Sequence, residues 1–132
     1  MKRDIYNKLC AWQASKRRKP LIINGARQVG KTYALKHFGA NSYKNTLYLN
    51  FEKDGKLCQF FEETLDPKKL LAILSIHKEA DIYPHETLII FDEVQHCPKA
   101  LNSLKYFCEE ASEYHLIAAG SLLGVKMASS QG

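Results

Sequence analysis

Residues 22–35, IINGARQVGKTYAL, contain the pattern that decides the fold. A short apolar run ends at Asn24, Gly25 and Gly30 enclose four residues, and a lysine and a threonine follow. The segment fits G-x-x-x-x-G-K-[S/T] at every fixed position. A loop of this length between a strand and a helix can surround a polyphosphate with backbone amides, and the helix N-terminus adds a partial positive charge. An ordinary turn is the alternative, but the apolar strand before the loop and the helical pattern after it favour a phosphate-binding loop.

The residues of this loop have separate predicted roles. Lys31 reaches the β and γ phosphates as a point charge, and the Thr32 hydroxyl is an oxygen ligand of the kind that Mg²⁺ prefers. Arg27 either meets a phosphate or a carboxylate or is simply exposed to solvent. The two glycines let the backbone approach the ligand closely. The residues predicted to bind the nucleotide are Gly25, Ala26, Arg27, Gln28, Val29, Gly30, Lys31, Thr32 and Tyr33.

A second apolar run, LIIF at residues 88–91, leads into two acids, Asp92 and Glu93. Open α/β sheets bind their ligands at the carboxyl ends of the strands. Asp92 therefore suits a carboxylate that holds Mg²⁺ through a bound water, and Glu93 suits a general base for an attacking water. Taken alone, two acids after a strand indicate a solvated strand end. The phosphate loop upstream is what favours the catalytic interpretation.

The interval between the two motifs favours hydrolysis. It contains a complete additional strand signal, TLYLNF at residues 46–51. An inserted strand and a glutamate beside the metal-binding aspartate are typical of ATPases, whereas a small-molecule kinase does not need that glutamate to activate water. The predicted cofactors are ATP and Mg²⁺, and the predicted reaction is ATP hydrolysis.

Hydrophobic periodicity along the chain predicts an α/β fold. An amphipathic helix opens the chain and ends before Pro20, and Gly39 is expected to end the helix that follows the phosphate loop. The predicted order α-β-α-β-α-α-β-α-β argues for a parallel sheet with helices on both faces. The predicted strands are residues 21–24, 46–51, 87–91 and 114–119, and the later helices are residues 31–38, 55–63, 67–80 and 98–111.

Composition places the chain among soluble globular domains. Of its 132 residues, 45% are hydrophobic and 25% are charged, which is ordinary for one domain. No apolar run approaches the roughly 20 residues of a membrane span, and the chain starts without a secretory signal pattern. The cysteines show no C-x-x-C spacing, so a reducing cytoplasm is the expected location. They are Cys10, Cys58, Cys97 and Cys108.

The net charge of +5 is concentrated near the start, in Lys16, Arg17, Arg18 and Lys19. Such a run can contact a nucleic-acid backbone, but it is also typical of a solvated loop between a helix and a strand. The charge alone does not establish nucleic-acid binding.

Several segments together resemble the AAA+-type P-loop ATPases of bacteria and archaea, in particular the group in which an ATPase domain precedes an uncharacterised, nuclease-like C-terminal domain. The phosphate loop (Walker A) and the Asp-Glu strand (Walker B) are specific to hydrolysing P-loop enzymes, and GARQVGKT, DEVQ and the GS after the fourth strand point to this group. The resemblance implies a three-layer αβα sandwich. The segments that carry it are KRDIYNKLCAW, PLIINGARQVGKTYALKHFG, LYLNFE, LIIFDEVQHCP and LIAAGSLLG.

The resemblance also implies roles for two further residues. Ser121 stands where AAA+ proteins keep a polar sensor of the γ phosphate, although the commonest residue there is asparagine. Asn50 matches the polar residue that in AAA+ relatives holds the catalytic glutamate away from water until a partner binds. The alternative for Asn50 is an ordinary polar residue at a strand end.

A complete AAA+ module continues with a fifth strand, an arginine finger and a helical lid, none of which is recognisable after Ser121. In the strand order 2-3-4-1-5, loss of strand five leaves the phosphate-loop strand on an exposed edge. We therefore expect residues 1–20 to form a helix and basic loop and residues 21–132 a truncated ATPase core, completed by the missing C-terminal region or by a second subunit. Such a chain is expected to bind ATP and to hydrolyse it slowly.

Other residue clusters indicate less. The spacings of His96, Cys97, Cys108 and His115 match no zinc pattern. The aromatic side chains of Tyr43, Tyr48, Tyr83 and Tyr106 are interpreted as core or rim residues. Two rival functions stay open: a nucleotide-gated interaction module, and a nucleic-acid-linked ATPase that drives a separate C-terminal domain.

Overall fold

A four-stranded parallel sheet forms the centre of the structure, a computed structural model that describes residues 2–24 and 29–121. The spatial order of the strands is β1-β4-β3-β2, as predicted, with β1 at one edge. Every residue of β3 and β4 is buried, which agrees with their apolar sequences and with helices on both faces. The strands are β1 (Leu21–Asn24), β2 (Asn45–Asn50), β3 (Thr87–Asp92) and β4 (His115–Gly120).

Five helices cover the two faces of the sheet and enclose two apolar clusters. One cluster joins α1 and α2 to the sheet through Leu9, Leu35 and Phe38, and the larger one joins α3, α4 and α5 to the opposite face. The α/β class and the three layers are therefore confirmed. Within the described ranges, no helix is both long enough and apolar enough to cross a membrane. The helices are α1 (Lys2–Ala14), α2 (Val29–Ser42), α3 (Leu57–Glu63), α4 (Pro67–Lys78) and α5 (Pro98–Glu110), and a short 3₁₀ turn spans Val94–His96.

The predicted end of α2 at Gly39 is wrong, because the helix continues to Ser42. A Cβ atom at position 39 would collide with the side-chain oxygen of Thr46 on β2 and would lie 3.2 Å from Leu88 Cδ2 on β3. Glycine at this position therefore allows close approach of helix to sheet rather than ending the helix. A glycine inside a helix and one just beyond it look alike in sequence.

A disulfide between Cys58 of α3 and Cys97, the residue before α5, joins two helices on the same face of the sheet. The Cα atoms of the two cysteines are 5.7 Å apart, and the bridge closes a loop with a sequence separation of 39. Cys spacing did not predict this pairing. Disulfides are also rare in the reducing cytoplasm that the sequence favoured.

Four polar side chains form a hydrogen-bonded chain at the amino end of β4, and two of them, Tyr43 and His115, are buried. The Arg18 guanidinium can only donate, and its Nη2 is 3.3 Å from His85 Nδ1, so that nitrogen is an acceptor. His115 Nε2 then donates to His85 Nδ1 at 3.1 Å, and His115 Nδ1 accepts from the Tyr43 hydroxyl at 2.6 Å. His115 is thereby held neutral. Burial lowers the pKa of His115 to about 4, and the positive charge of Arg18 acts in the same direction.

We expect this histidine to make the fold sensitive to acid. Below about pH 6.5 the unfolded chain binds a proton at His115, whereas the folded chain binds it only near pH 4. The free energy of unfolding should therefore fall as the pH falls from 6.5 towards 4. His115→Gln should show a shallower dependence of the urea midpoint on pH than the unmodified chain, and the exposed His37→Gln should not. Equal slopes in all three proteins would contradict the assignment.

Candidate functional site

The carboxyl ends of the strands bring the predicted site residues to one edge of the sheet. Strand β1 runs towards the phosphate loop, whose residues 25–28 lie outside the described residues, and α2 begins at Val29. Asp92 is the last residue of β3, and its register partner on β2 is Asn50. Ser121 follows β4, which lies between β1 and β3. Two segments distant in sequence therefore meet where α/β sheets bind ligands.

Lys31 lies in the first turn of α2 with only 8% of its surface exposed. Its ammonium nitrogen is buried, and none of the described residues forms a hydrogen bond with it. Burying an ammonium group without a partner is energetically costly, and such a group is explained when a ligand supplies the missing negative charge. The environment of Lys31 therefore fits a phosphate group.

Thr32 and Asp92 form a direct contact across 60 positions of sequence. The Thr32 hydroxyl donates to Asp92 Oδ2 at 2.9 Å, and the carboxylate of Asp92 is buried. The other carboxylate oxygen, Oδ1, accepts from the backbone amide of Glu93 at 2.9 Å. A hydroxyl and a carboxylate held together at the start of a helix are oxygen donors that suit Mg²⁺.

Tyr48 is a member of this site that the sequence analysis placed only among core or rim aromatics. Its hydroxyl donates to Asp92 Oδ2 at 2.5 Å, and Lys36 Nζ lies 4.1 Å from the centre of its ring. Burial, followed by the hydrogen bond to Asp92, raises the pKa of Tyr48 to about 12. The alternation of β2 contains the missed signal, because Tyr48 and Asn50 share a face and Asn50 is level with Asp92.

Asn50 caps the turn that follows β2. Its side-chain oxygen accepts from the backbone amides of Glu52 and Lys53 at 2.9 and 3.0 Å, and its amide nitrogen donates to the Tyr48 hydroxyl at 3.3 Å. These bonds resemble the local turn bonds that asparagine forms at strand ends. They also connect Asn50 to Asp92 through Tyr48.

Glu93 has a left-handed backbone, with φ 55° and ψ 41°, although it is not a glycine. Its side chain is 6% exposed, and Oε1 accepts from Gln95 Nε2 at 3.0 Å. Residues in this backbone region cost free energy and cluster at functional sites. The turn directs a buried carboxylate to the end of β3, beside Asp92.

The sequence profile of a family described as an AAA domain matches residues 17–131. This chain belongs to the AAA domain family. The match includes both the phosphate loop and the Asp-Glu strand end.

A comparison of folds adds one solved structure. The fold of this AAA domain is similar to that of C. elegans PCH-2, with a TM-score of 0.51, 15% identity and coverage of 98% of this chain. The match covers 39% of the PCH-2 chain. At this identity the similarity concerns the fold alone. No curated protein matches the sequence of the AAA domain at a significant level.

The other residues that the sequence predicted to bind nucleotide or nucleic acid differ in their exposure and contacts. Gly25, Ala26, Arg27 and Gln28 lie outside the described residues, Val29 and Gly30 open α2, and Ser121 is half-buried directly after β4. Tyr33 is 60% exposed, and its ring stacks on His37 with the centroids 5.8 Å apart. In the basic run, Arg18 is hydrogen-bonded to His85, whereas Lys16, Arg17 and Lys19 are exposed.

Glu52 and His96 flank the carboxylate of Glu93. One ligand atom from each of these three residues lies within 4.8 Å of the other two, and His96 Nε2 is 3.9 Å from Glu52 Oε2. Cys97, which follows His96, is bonded to Cys58. The buried carboxylate of Glu93 therefore has two exposed ionisable side chains beside it.

Proposed function

We propose that this AAA domain binds ATP together with Mg²⁺ and hydrolyses it. The observation that carries the proposal is the buried Lys31 ammonium, which has no hydrogen-bond partner among the described residues and is next in sequence to a threonine bonded to Asp92. In nucleotide-binding loops of this pattern, lysine contacts the terminal phosphates and the hydroxyl serves the metal. The family supports a nucleotide-binding domain of ATPase type.

Each residue of the site has one proposed task. Lys31 Nζ binds the β and γ phosphates, and Thr32 Oγ1 and Asp92 hold Mg²⁺. Bound Mg²⁺ would neutralise phosphate charge during the reaction. A carboxylate oxygen of Glu93 accepts the proton of the attacking water, and the burial of Glu93 limits competition from bulk solvent. Ser121, at the end of β4, is proposed as the sensor of the γ phosphate.

The direct test measures binding and turnover by the chain itself. Calorimetry with ATP in the presence and absence of Mg²⁺ should show binding that depends on the metal, and a phosphate-release assay should show slow, Mg²⁺-dependent hydrolysis. Absence of ATP binding at millimolar nucleotide would refute the proposal.

Tyr48→Phe should weaken the Mg²⁺ site without removing a ligand of the metal. The hydroxyl that the substitution removes donates to Asp92 Oδ2, so the carboxylate loses one partner that orients it. Loss of such an outer partner typically costs about tenfold or more in metal affinity. A titration of Mg²⁺ at fixed ATP should therefore show an approximately tenfold higher half-saturation point. Tyr83→Phe, at an exposed tyrosine, is the control, and equal titrations for both variants would contradict this role.

The process that turnover serves is a second part of the proposal. The resemblance to ATPases with a nuclease-like C-terminal domain supports an action on such a domain or on a second subunit, and an arginine finger could come from either. Among the described residues, strand β1 pairs with β4 alone, so no described strand covers its outer edge, where a strand from a partner would fit. Light scattering with and without ATP tests the second-subunit alternative.

Cytoplasmic location and nucleic-acid binding belong to the same proposal. The exposed Lys16, Arg17 and Lys19 support contact with a phosphate backbone. Affinity for DNA that falls steeply with salt would support this contact, and weak binding that is insensitive to salt would remove it.

A further inference from the structure

The side chain of Gln95 connects the predicted catalytic glutamate to the end of β4. Gln95 lies in the 3₁₀ turn Val94–His96, and its Nε2 donates to Glu93 Oε1 at 3.0 Å. Its own oxygen, Oε1, is buried and has no hydrogen-bond partner among the described residues. That oxygen lies against Gly120, where an added Cβ would collide with it. The Gln95 amide therefore fills the space between the two elements.

The Gln95 amide fits in this position only because residue 120 has no side chain. Gly120 has φ 156°, and an added Cβ would also lie 3.1 Å from the backbone nitrogen of Val94. The last residue of β4 thus packs against the turn that carries Gln95. Ser121, the proposed sensor, is the next residue of the chain.

We propose that Gln95 is a positioning residue that orients the Glu93 carboxylate for attack by water. Gly120 leaves the space that the Gln95 amide occupies. The inference rests on the proposed function and adds to it a residue that does not itself touch the nucleotide. A glutamate side chain has several rotatable bonds, and a hydrogen bond to a carboxylate oxygen selects one orientation. Reaction rates depend strongly on such orientation, whereas binding of the phosphates by Lys31 does not require it.

Gln95→Met tests the inference, because methionine retains the approximate length of the side chain and removes the amide. We expect kcat for ATP to fall about ten- to a hundredfold, as for loss of a hydrogen bond to a charged group, with KM and ATP affinity unchanged within about twofold. Gln59→Met, at an exposed glutamine of α3, is the matched control and should retain kcat. An unchanged or increased kcat in Gln95→Met would overturn the proposal.

Gly120→Ala tests the same contact between Gln95 and Glu93, because the added Cβ would displace the Gln95 amide. It should lower kcat as Gln95→Met does, and the double variant should be no slower than the slower single variant, since both remove one interaction. Fully multiplicative effects would contradict a shared contact. If Gly120→Ala does not fold, Gln95→Met alone decides.

An NMR measurement reads the contact without turnover. The side-chain amide resonance of Gln95, identified by its loss in Gln95→Met, should shift in Glu93→Ala in the nucleotide-free protein. An unshifted resonance overturns the contact itself. If the chain shows no ATP hydrolysis although the resonance shifts, the proposed function fails and the positioning role of Gln95 fails with it, while the contact stands.

Discussion

Lys31→Met is expected to weaken binding of MgATP by about ten- to a hundredfold, the effect of losing a charge-assisted hydrogen bond. Methionine keeps the length of the side chain and removes only the ammonium group. Calorimetric titration of the two proteins with MgATP measures the difference. Lys56→Met, at an exposed lysine just before α3, is the control and should bind normally.

The same substitution should have an opposite effect on the nucleotide-free protein. The Lys31 ammonium is buried and unpaired among the described residues, so its removal eliminates a desolvated charge. We expect Lys31→Met to unfold at a higher temperature without nucleotide and to gain less stability from MgATP than the unmodified chain. Unchanged affinity for MgATP would refute the role of Lys31, whatever the change in unfolding temperature.

Glu93→Gln is expected to reduce ATP hydrolysis by about a hundredfold or more, with ATP affinity retained, because an amide cannot accept the proton of the attacking water. Single-turnover phosphate release with saturating MgATP measures the chemical step, and calorimetry measures binding. Glu52→Gln is the matched control, since Glu52 lies in the same cluster and is exposed. Loss of hydrolysis in Glu52→Gln but not in Glu93→Gln would show that Glu93 is not the general base.

Glu93→Gln also separates an enzyme from a nucleotide-gated interaction module. An enzyme whose turnover does the work loses both hydrolysis and its biological activity in this variant. A module that needs only bound ATP keeps its activity when hydrolysis is lost. The measurement requires the partner that the protein acts on, and the outer edge of β1, which pairs with no second strand among the described residues, is where we would look for it.

The sequence predicted the sheet because its strands are apolar runs with clear ends. Strand β1 has the predicted bounds, β3 is one residue longer than predicted, and β2 and β4 are each shifted by one residue. The contact between Thr32 and Asp92 followed from parallel strands whose carboxyl ends share an edge. These features depend on local patterns, which a single sequence contains, and on general rules for how parallel strands are arranged.

The features that were missed depend on which side chains meet in three dimensions. The length of α2 depended on the space between Gly39 and Thr46, and the role of Tyr48 depended on the register of β2 with β3. The left-handed backbone of Glu93 has no signal in residue type, because glycine is the usual residue there. The sensor role of Ser121 and the loop contacts of residues 25–28 stay predictions.

The disulfide gives the segment that contains Asp92 and Glu93 a covalent boundary on both sides. The chain between Cys58 and Cys97 is a closed ring that contains α4, β3, Asp92 and Glu93. Within that ring, β3 is fixed by its neighbouring strands, and Cys97 is fixed to α3. The short turn between these two anchors carries both Glu93 and Gln95, so with the bridge intact a change in the position of Glu93 has to be accommodated within a few residues.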